Sequence, residues 1–146
     1  MANQIHGVLS LSLIILSVLI ALAALFLAAP LAGIVYLLTV LGASAMILFA
    51  YCAKCKSRRD ACSHVFPGKA TDLLPHRKQE PYTFSDVFAT ALSVAIIFLF
   101  PQYWLWQNKL LFIAFWVSAV IALVEIRLCV CKVCRNDICM LCPSRL

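Results

Sequence analysis

Residues 8–51 decide the fold, and they read VLSLSLIILSVLIALAALFLAAP from 8 to 30 and LAGIVYLLTVLGASAMILFAY from 31 to 51. These 44 residues contain no charged side chain. The run is long enough for two membrane helices, because one helix needs about 20 apolar residues to cross the hydrocarbon core of a bilayer. Since Pro30 is expected to separate the two helices, the stretch predicts transmembrane spans at 8–29 and 31–51.

A cleaved signal peptide is the alternative for the first apolar run. Two features disfavour it. Met1–Gly7 carries no positive charge, and the run is longer than the roughly 7–15 apolar residues of a signal sequence. We therefore expect the first run to be a transmembrane helix.

A second pair of apolar runs lies at 87–106 and 110–128, separated by only three residues. Pro101 is expected to kink the end of the third span, because proline has no backbone N–H to continue the helix. Ser85 or Thr83 is expected to cap its start. The two pairs of runs together predict four transmembrane helices, arranged as two tight hairpins.

The overall composition agrees with this fold class. The chain has 146 residues, of which 64% are hydrophobic, and its mean hydropathy is +1.00. Soluble proteins contain only about 45–50% apolar residues. We therefore predict an all-α integral membrane protein with one four-helix transmembrane domain over residues 1–146, a loop at 52–86 and a tail at 129–146.

The positive charges predict the orientation in the membrane. The formal net charge is +6, and 11 of the 12 lysines and arginines lie either at 54–78 or at 127–145. Short segments rich in lysine and arginine stay on the cytoplasmic side. We therefore expect the N-terminus, the loop and the tail to be cytoplasmic, and we attribute the basic charge to topology and not to nucleic-acid binding.

All eight cysteines lie in the loop and the tail. In a reducing compartment, clustered thiols at short spacing are better interpreted as metal ligands than as disulfides. A two-residue gap allows both thiolates of a tight turn to reach one ion. The predicted ligands are Cys52, Cys55, Cys62, His64, Cys131, Cys134, Cys139 and Cys142.

Two closed tetrahedral zinc sites would use these eight ligands. One partition is Cys52, Cys55, Cys131 and Cys134 in one site and Cys62, His64, Cys139 and Cys142 in the other, and other partitions stay open. Each site would join the end of the second span to the end of the fourth. Cys52 and Cys129 lie beside membrane ends, where S-acylation is an alternative role for a thiol; Cys129, which this partition leaves out, is the better candidate.

An iron–sulfur cluster is the main alternative to zinc. The tail contains a C-x2-C-x4-C-x2-C-P pattern that ends at Pro143. This spacing differs from the C-x2-C-x2-C-x3-C-P run of bacterial ferredoxins. We therefore favour zinc over iron–sulfur, and a set of unliganded thiols is a third alternative.

Some charged residues have further potential roles. Basic residues beside a membrane attract anionic lipid, so the loop offers candidates for lipid or partner docking; alternatively, their charge serves topology alone. The candidates are Lys69, His76, Arg77 and Lys78.

Glu125 is the only acidic residue within an apolar span, which suggests a proton path. Alternatively, Arg127 or a loop lysine neutralises Glu125 at the interface.

The sequence predicts a structural role more readily than an enzymatic one. It contains no nucleophile-elbow pattern and no phosphate-binding glycine loop, so catalysis by this chain alone is not expected. The first hypothesis is a small membrane anchor or assembly subunit that binds zinc and docks a protein partner. An iron–sulfur electron-transfer subunit of a membrane redox complex is the second. A channel or transporter is the third, and it would require a homo-oligomer because the spans contain few polar residues.

Overall fold

The computed structural model of the chain describes residues 2–55, 62, 65–71, 74, 77 and 80–133. All regular structure among these residues is helical. The α-helices are α1 (Ala2–Ala28), α2 (Pro30–Ala50), α3 (Val65–Ala70), α4 (Phe84–Leu99), α5 (Gln102–Gln107), α6 (Lys109–Glu125) and α7 (Cys131–Val133). A 3₁₀ turn, Cys52–Lys54, follows α2, and a π-helical turn, Ile126–Val130, joins α6 to α7.

Four helical segments are long and apolar enough to cross a membrane. They are called the first to fourth spans here, and they cover Gln4–Ala28, Pro30–Lys54, Phe84–Gln107 and Lys109–Val130. The prediction of four helices of spanning length is thus confirmed. The first helix begins before residue 8, because helical hydrogen bonding continues through the polar residues that precede the apolar run.

The four spans pack in a definite order. The first span contacts the fourth along α6, the second contacts the third along α4, and α1 and α2 also contact each other. The central cluster of buried residues draws on all four spans and consists of Ala21, Ala24, Leu25, Tyr36, Leu105 and Phe115. The third span also contacts the first and the fourth along α5, so the four spans surround a shared core.

Many large apolar side chains lie on the outside of this bundle. Leu27 is 84% exposed, and Leu31 and Leu110 are each 75% exposed. Water would cover such a surface poorly, since soluble monomers rarely expose large contiguous apolar patches. The hydrocarbon of a bilayer would cover it well, because the helices satisfy their own backbone hydrogen bonds.

A single residue, Ala29, connects α1 to α2. The backbone N–H of Ala29 donates to Leu25 O at 2.7 Å, and that of Gly33 donates to Ala29 O at 3.1 Å. A Cβ at Gly33 would lie 2.9 Å from the ring of Phe26. Gly33 therefore allows the first turn of α2 to approach the last turns of α1.

A pair of buried serines joins the first span to the fourth. The hydroxyls of Ser17 and Ser118 are 2.7 Å apart. Each hydroxyl also lies within hydrogen-bond distance of a carbonyl of its own helix, Ser17 of Leu13 O at 3.0 Å and Ser118 of Ala114 O at 2.9 Å. Since a hydroxyl has one proton, one serine donates to the other, which donates to its own helix. Such interhelical polar contacts contribute about 0.6 kcal/mol on average in a membrane protein.

Pro101 breaks the third span between α4 and α5, as the sequence predicts. Because proline has no N–H, it cannot donate to the carbonyl of Ile97, four residues earlier. The hydroxyl of Tyr36 from α2 donates to that carbonyl instead, at 2.9 Å. Gln102 Nε2 donates to the next carbonyl, Phe98 O, at 2.5 Å. Side chains thus satisfy the backbone groups that the break affects.

The start of the third span carries a capping box. The Thr83 hydroxyl accepts from the backbone N–H of Asp86, and the Asp86 carboxylate accepts from the backbone N–H of Thr83. This reciprocal pair fixes the start of α4 at Phe84. Of the two predicted caps, Thr83 is therefore the N-cap, and the helix begins before residue 87.

Candidate functional site

Three of the predicted metal ligands, Cys52, Cys55 and Cys62, belong to the described residues that follow α2. All three side chains are half-buried and none is in a disulfide, and Cys52 interacts electrostatically with both of the others. The backbone N–H of Cys55 donates to Cys52 O at 3.1 Å and closes the 3₁₀ turn. The C-x2-C motif therefore forms a tight turn, and among the described residues the three thiols are not a group whose ligand atoms all lie within 4.8 Å of one another. These three residues are called the thiol cluster below.

The other predicted ligands are less defined. Cys131, at the start of α7, is disulfide-bonded. A sulfur in a disulfide is not available as a thiolate ligand. The prediction that Cys131 binds metal therefore applies only when this disulfide is reduced. The remaining predicted ligands lie outside the described residues, and they are His64, Cys134, Cys139 and Cys142.

A buried ion-pair cluster lies beside the thiol cluster in sequence and fastens the second span to the third. Lys54 Nζ pairs with Asp86 Oδ2, and both side chains are almost fully buried. Arg77 Nη1 donates to Asp86 Oδ1 at 2.9 Å. The hydroxyl and the backbone N–H of Thr83 donate to Asp86 Oδ2 at 2.7 and 3.0 Å. The carboxylate is thus surrounded by cations and hydrogen-bond donors, as a buried charge requires.

Aromatic contacts extend this attachment. The guanidinium of Arg77 lies 4.9 Å from the centre of the Phe49 ring, which is within the range of a cation–π interaction. The rings of Tyr51 and Tyr82 stack with their centres 4.4 Å apart. Tyr82 Oη also donates to Tyr51 O at 3.3 Å. The segment that leads into the third span is therefore held against the end of the second.

The residues predicted to dock lipid or a partner have different surroundings. Lys69, near the end of α3, is exposed. Arg77 forms an ion pair with Asp86, so its charge is partly neutralised within the ion-pair cluster. His76 and Lys78 lie outside the described residues. Among the described candidates, exposed Lys69 is thus the one whose surroundings favour docking.

A second group of chemically active side chains lies between the ends of the first and fourth spans. His6 Nδ1 is 3.0 Å from Glu125 Oε2, and Cys129 interacts electrostatically with Glu125. The donor atoms of all three residues lie within 4.8 Å of one another. His6 is therefore a partner of Glu125, a contact that was not predicted. These three residues are called the His6 cluster below.

Sequence reasoning missed both the Lys54–Asp86 pair and the contact of His6 with Glu125. The Thr83-x-x-Asp86 spacing is that of a capping box, which was the available signal for Asp86. For His6 the signal was topological, because the predicted topology places the N-terminus and the end of the fourth span on the same side. Neither signal specifies a partner, which depends on how the helices rotate against one another.

Comparisons with known proteins do not assign the chain to a family or a function. No protein family, curated protein or solved structure matches it. Its function is therefore inferred from the residues and contacts described above.

Proposed function

We propose that the chain is a multi-pass membrane anchor or assembly subunit whose thiol cluster binds a structural zinc ion and whose zinc-bound face docks a protein partner. The observation that carries this proposal is the C-x2-C turn at Cys52 and Cys55, which the buried Lys54–Asp86 pair fixes in place and whose Cys52 interacts electrostatically with Cys62. Thiolates are preferred ligands of zinc, and a C-x2-C turn is the usual unit of a structural zinc site.

The proposed topology has two helical hairpins with the N-terminus, the loop and the tail in the cytoplasm. Its support is the distribution of charge, with Lys109 as the only lysine or arginine outside the segments 54–78 and 127–145. Cytoplasmic loops carry such an excess of positive residues. The thiol cluster would then lie in a reducing compartment, where free thiols remain available for metal.

The thiol cluster supplies three ligands, and a closed zinc site takes four. The fourth would come from the predicted ligands of the loop and the tail, namely His64, Cys131, Cys134, Cys139 or Cys142. A ligand from the tail would connect the second span to the fourth across the face of the bundle. Zinc can contribute about 10 kcal/mol or more to the folding of short segments, so it would order a face that has no large apolar core.

The ion-pair cluster supports the same role. Because Lys54 lies between Cys52 and Cys55 in sequence and is buried against Asp86, the position of the turn is fixed relative to the third span. A partner would therefore meet a rigid turn, and exposed Lys69 on α3 offers a further positive charge. This arrangement favours docking over catalysis.

Metal analysis of the full chain tests the proposal. The reduced protein, purified in detergent with zinc and iron both present during expression, is expected to contain zinc and to be colourless. Cys62→Ser should lose about one zinc per chain relative to the parent. Cys62→His is the matched control, because imidazole is also a zinc ligand, and it should retain that ion.

Two results would contradict the proposal. Equal zinc content in the parent and in Cys62→Ser would show that the thiol cluster does not bind zinc. Iron with acid-labile sulfide, and a coloured protein, would instead support the iron–sulfur electron-transfer function. Labelling of Cys62 by a membrane-impermeant maleimide only after the cytoplasmic face is opened would test the topology separately.

A further inference from the structure

We infer that His6, Glu125 and Cys129 form a second metal site, separate from the thiol cluster, that binds one divalent transition-metal ion such as zinc between the first and fourth spans. The proposal rests on the contacts of these three side chains and does not require the thiol cluster to bind metal.

The geometry brings three different ligand atoms together. An imidazole nitrogen, a carboxylate oxygen and a thiol sulfur lie within 4.8 Å of one another, and the His6 Nδ1 to Glu125 Oε2 distance is 3.0 Å. Zinc binds nitrogen and oxygen at about 2.0–2.2 Å and sulfur at about 2.3 Å. Ligands of one tetrahedral ion therefore stand roughly 3–4 Å apart, so small side-chain movements would place all three around one ion.

The secondary structure explains why these residues meet. Glu125 ends α6, and Cys129 follows four residues later within the π-helical turn, so both side chains lie on nearly the same side of the fourth span. The first span contacts this π-helical turn and brings His6 to Glu125. Turns of this type occur frequently at functional sites.

The cluster is accessible but not fully exposed. The side chain of His6 is 42% exposed and that of Glu125 is 23% exposed, and Cys129 is a half-buried free thiol. An ion could therefore enter without unfolding of the bundle. Three protein ligands leave a fourth position for water, which is the arrangement of open zinc sites.

Such a site would act at the junction of two spans. The ligands come from the first turns of α1 and from the end of the fourth span, so an ion would fix one helix against the other. An open coordination position allows the ion to exchange more readily than it would from a closed site. We therefore assign this cluster an exchangeable ion, in contrast to the structural zinc proposed for the thiol cluster.

Zinc titration of the reduced full chain in detergent, against a chromophoric chelator, tests the assignment. His6→Ala and Cys129→Ser are each expected to bind one zinc fewer than the parent chain. The double variant should also bind only one fewer, because both residues would belong to the same site. His76→Ala is the matched histidine control and should bind as many zinc ions as the parent.

A second measurement keeps the inference testable if a variant changes the fold. In Cys62→Ser, which leaves the His6 cluster intact, X-ray absorption of bound zinc should show nitrogen and oxygen neighbours with one sulfur. Retention of every zinc ion in His6→Ala would overturn the assignment. A shell made only of sulfur, or the absence of zinc from Cys62→Ser, would overturn it as well.

Discussion

Replacing Tyr36 by phenylalanine should measure how strongly the break at Pro101 depends on the second span. Tyr36 is fully buried, and its hydroxyl donates to Ile97 O at 2.9 Å. Pro101 has no N–H to take its place. A buried carbonyl that loses its donor costs about 1–3 kcal/mol, and interhelical hydrogen bonds in membrane proteins reach about 1.7 kcal/mol. We expect Tyr36→Phe to lower the free energy of unfolding by about 1–2 kcal/mol.

A double-mutant cycle isolates the cause. In a Pro101→Ala background, the alanine supplies an N–H four residues after Ile97, so the carbonyl regains a donor within its own helix. The cost of Tyr36→Phe should then fall by about 0.5–1 kcal/mol, the coupling expected for groups that share a partner. Tyr103→Phe is the matched control, since Tyr103 is 72% exposed, and it should change stability by less than about 0.5 kcal/mol.

The assay is reversible unfolding in mixed micelles with increasing mole fractions of sodium dodecyl sulfate, followed by tryptophan fluorescence. Trp104 is a suitable reporter because its ring stacks on Phe100 with the ring centres 5.7 Å apart. An equal cost of Tyr36→Phe in the parent and in the Pro101→Ala background would refute the reasoning. The contribution of the Tyr36 hydroxyl to the free energy of unfolding would then be independent of the break at Pro101.

Three further predictions concern other contacts. Asp86→Asn should lower stability by about 3–5 kcal/mol, because it leaves Lys54 as a buried charge with a weaker partner; a shift of the thermal midpoint no larger than that of an exposed-site variant would contradict this. Ser17→Ala and Ser118→Ala should show a coupling of about 0.6 kcal/mol in a double-mutant cycle, and strictly additive costs would argue against an interhelical hydrogen bond. Alkylation without reductant should modify Cys129 but not Cys131, which is disulfide-bonded; detection of alkylated Cys131 by mass spectrometry would contradict this prediction.

The number and type of the spans could be predicted from the sequence because they depend on local composition. The uncharged stretch at 8–51 exceeds what one helix needs, and Pro101 cannot be accommodated without a break in hydrogen bonding. The cap at Thr83 was also predictable, since hydroxyl side chains at that position accept from the first turn. Only the exact helix ends differed, because a helix does not stop where the apolar residues stop.

Which helices pack together was not predictable in the same way. The faces of the spans are apolar all round, so hydrophobic periodicity does not indicate which side is buried. Contacts such as Tyr36 with Ile97, and His6 with Glu125, depend on the rotation of one helix against another. The electrostatic interaction of Cys62 with Cys52 likewise joins residues whose spacing in sequence does not specify a contact, although the residue types themselves indicated metal chemistry.

The π-helical turn Ile126–Val130 has a consequence for helical phase. The backbone N–H of Cys131 donates to Ile126 O, five residues earlier, so this turn holds one more residue than an α-helical turn. A π-helical turn completes about one rotation with one residue more than an α-helical turn. Removal of one residue here, with conversion to regular α-helix, would therefore leave α7 pointing in nearly the same direction relative to α6. The π-helical turn thus accommodates an additional residue without changing the direction in which the chain leaves the bundle.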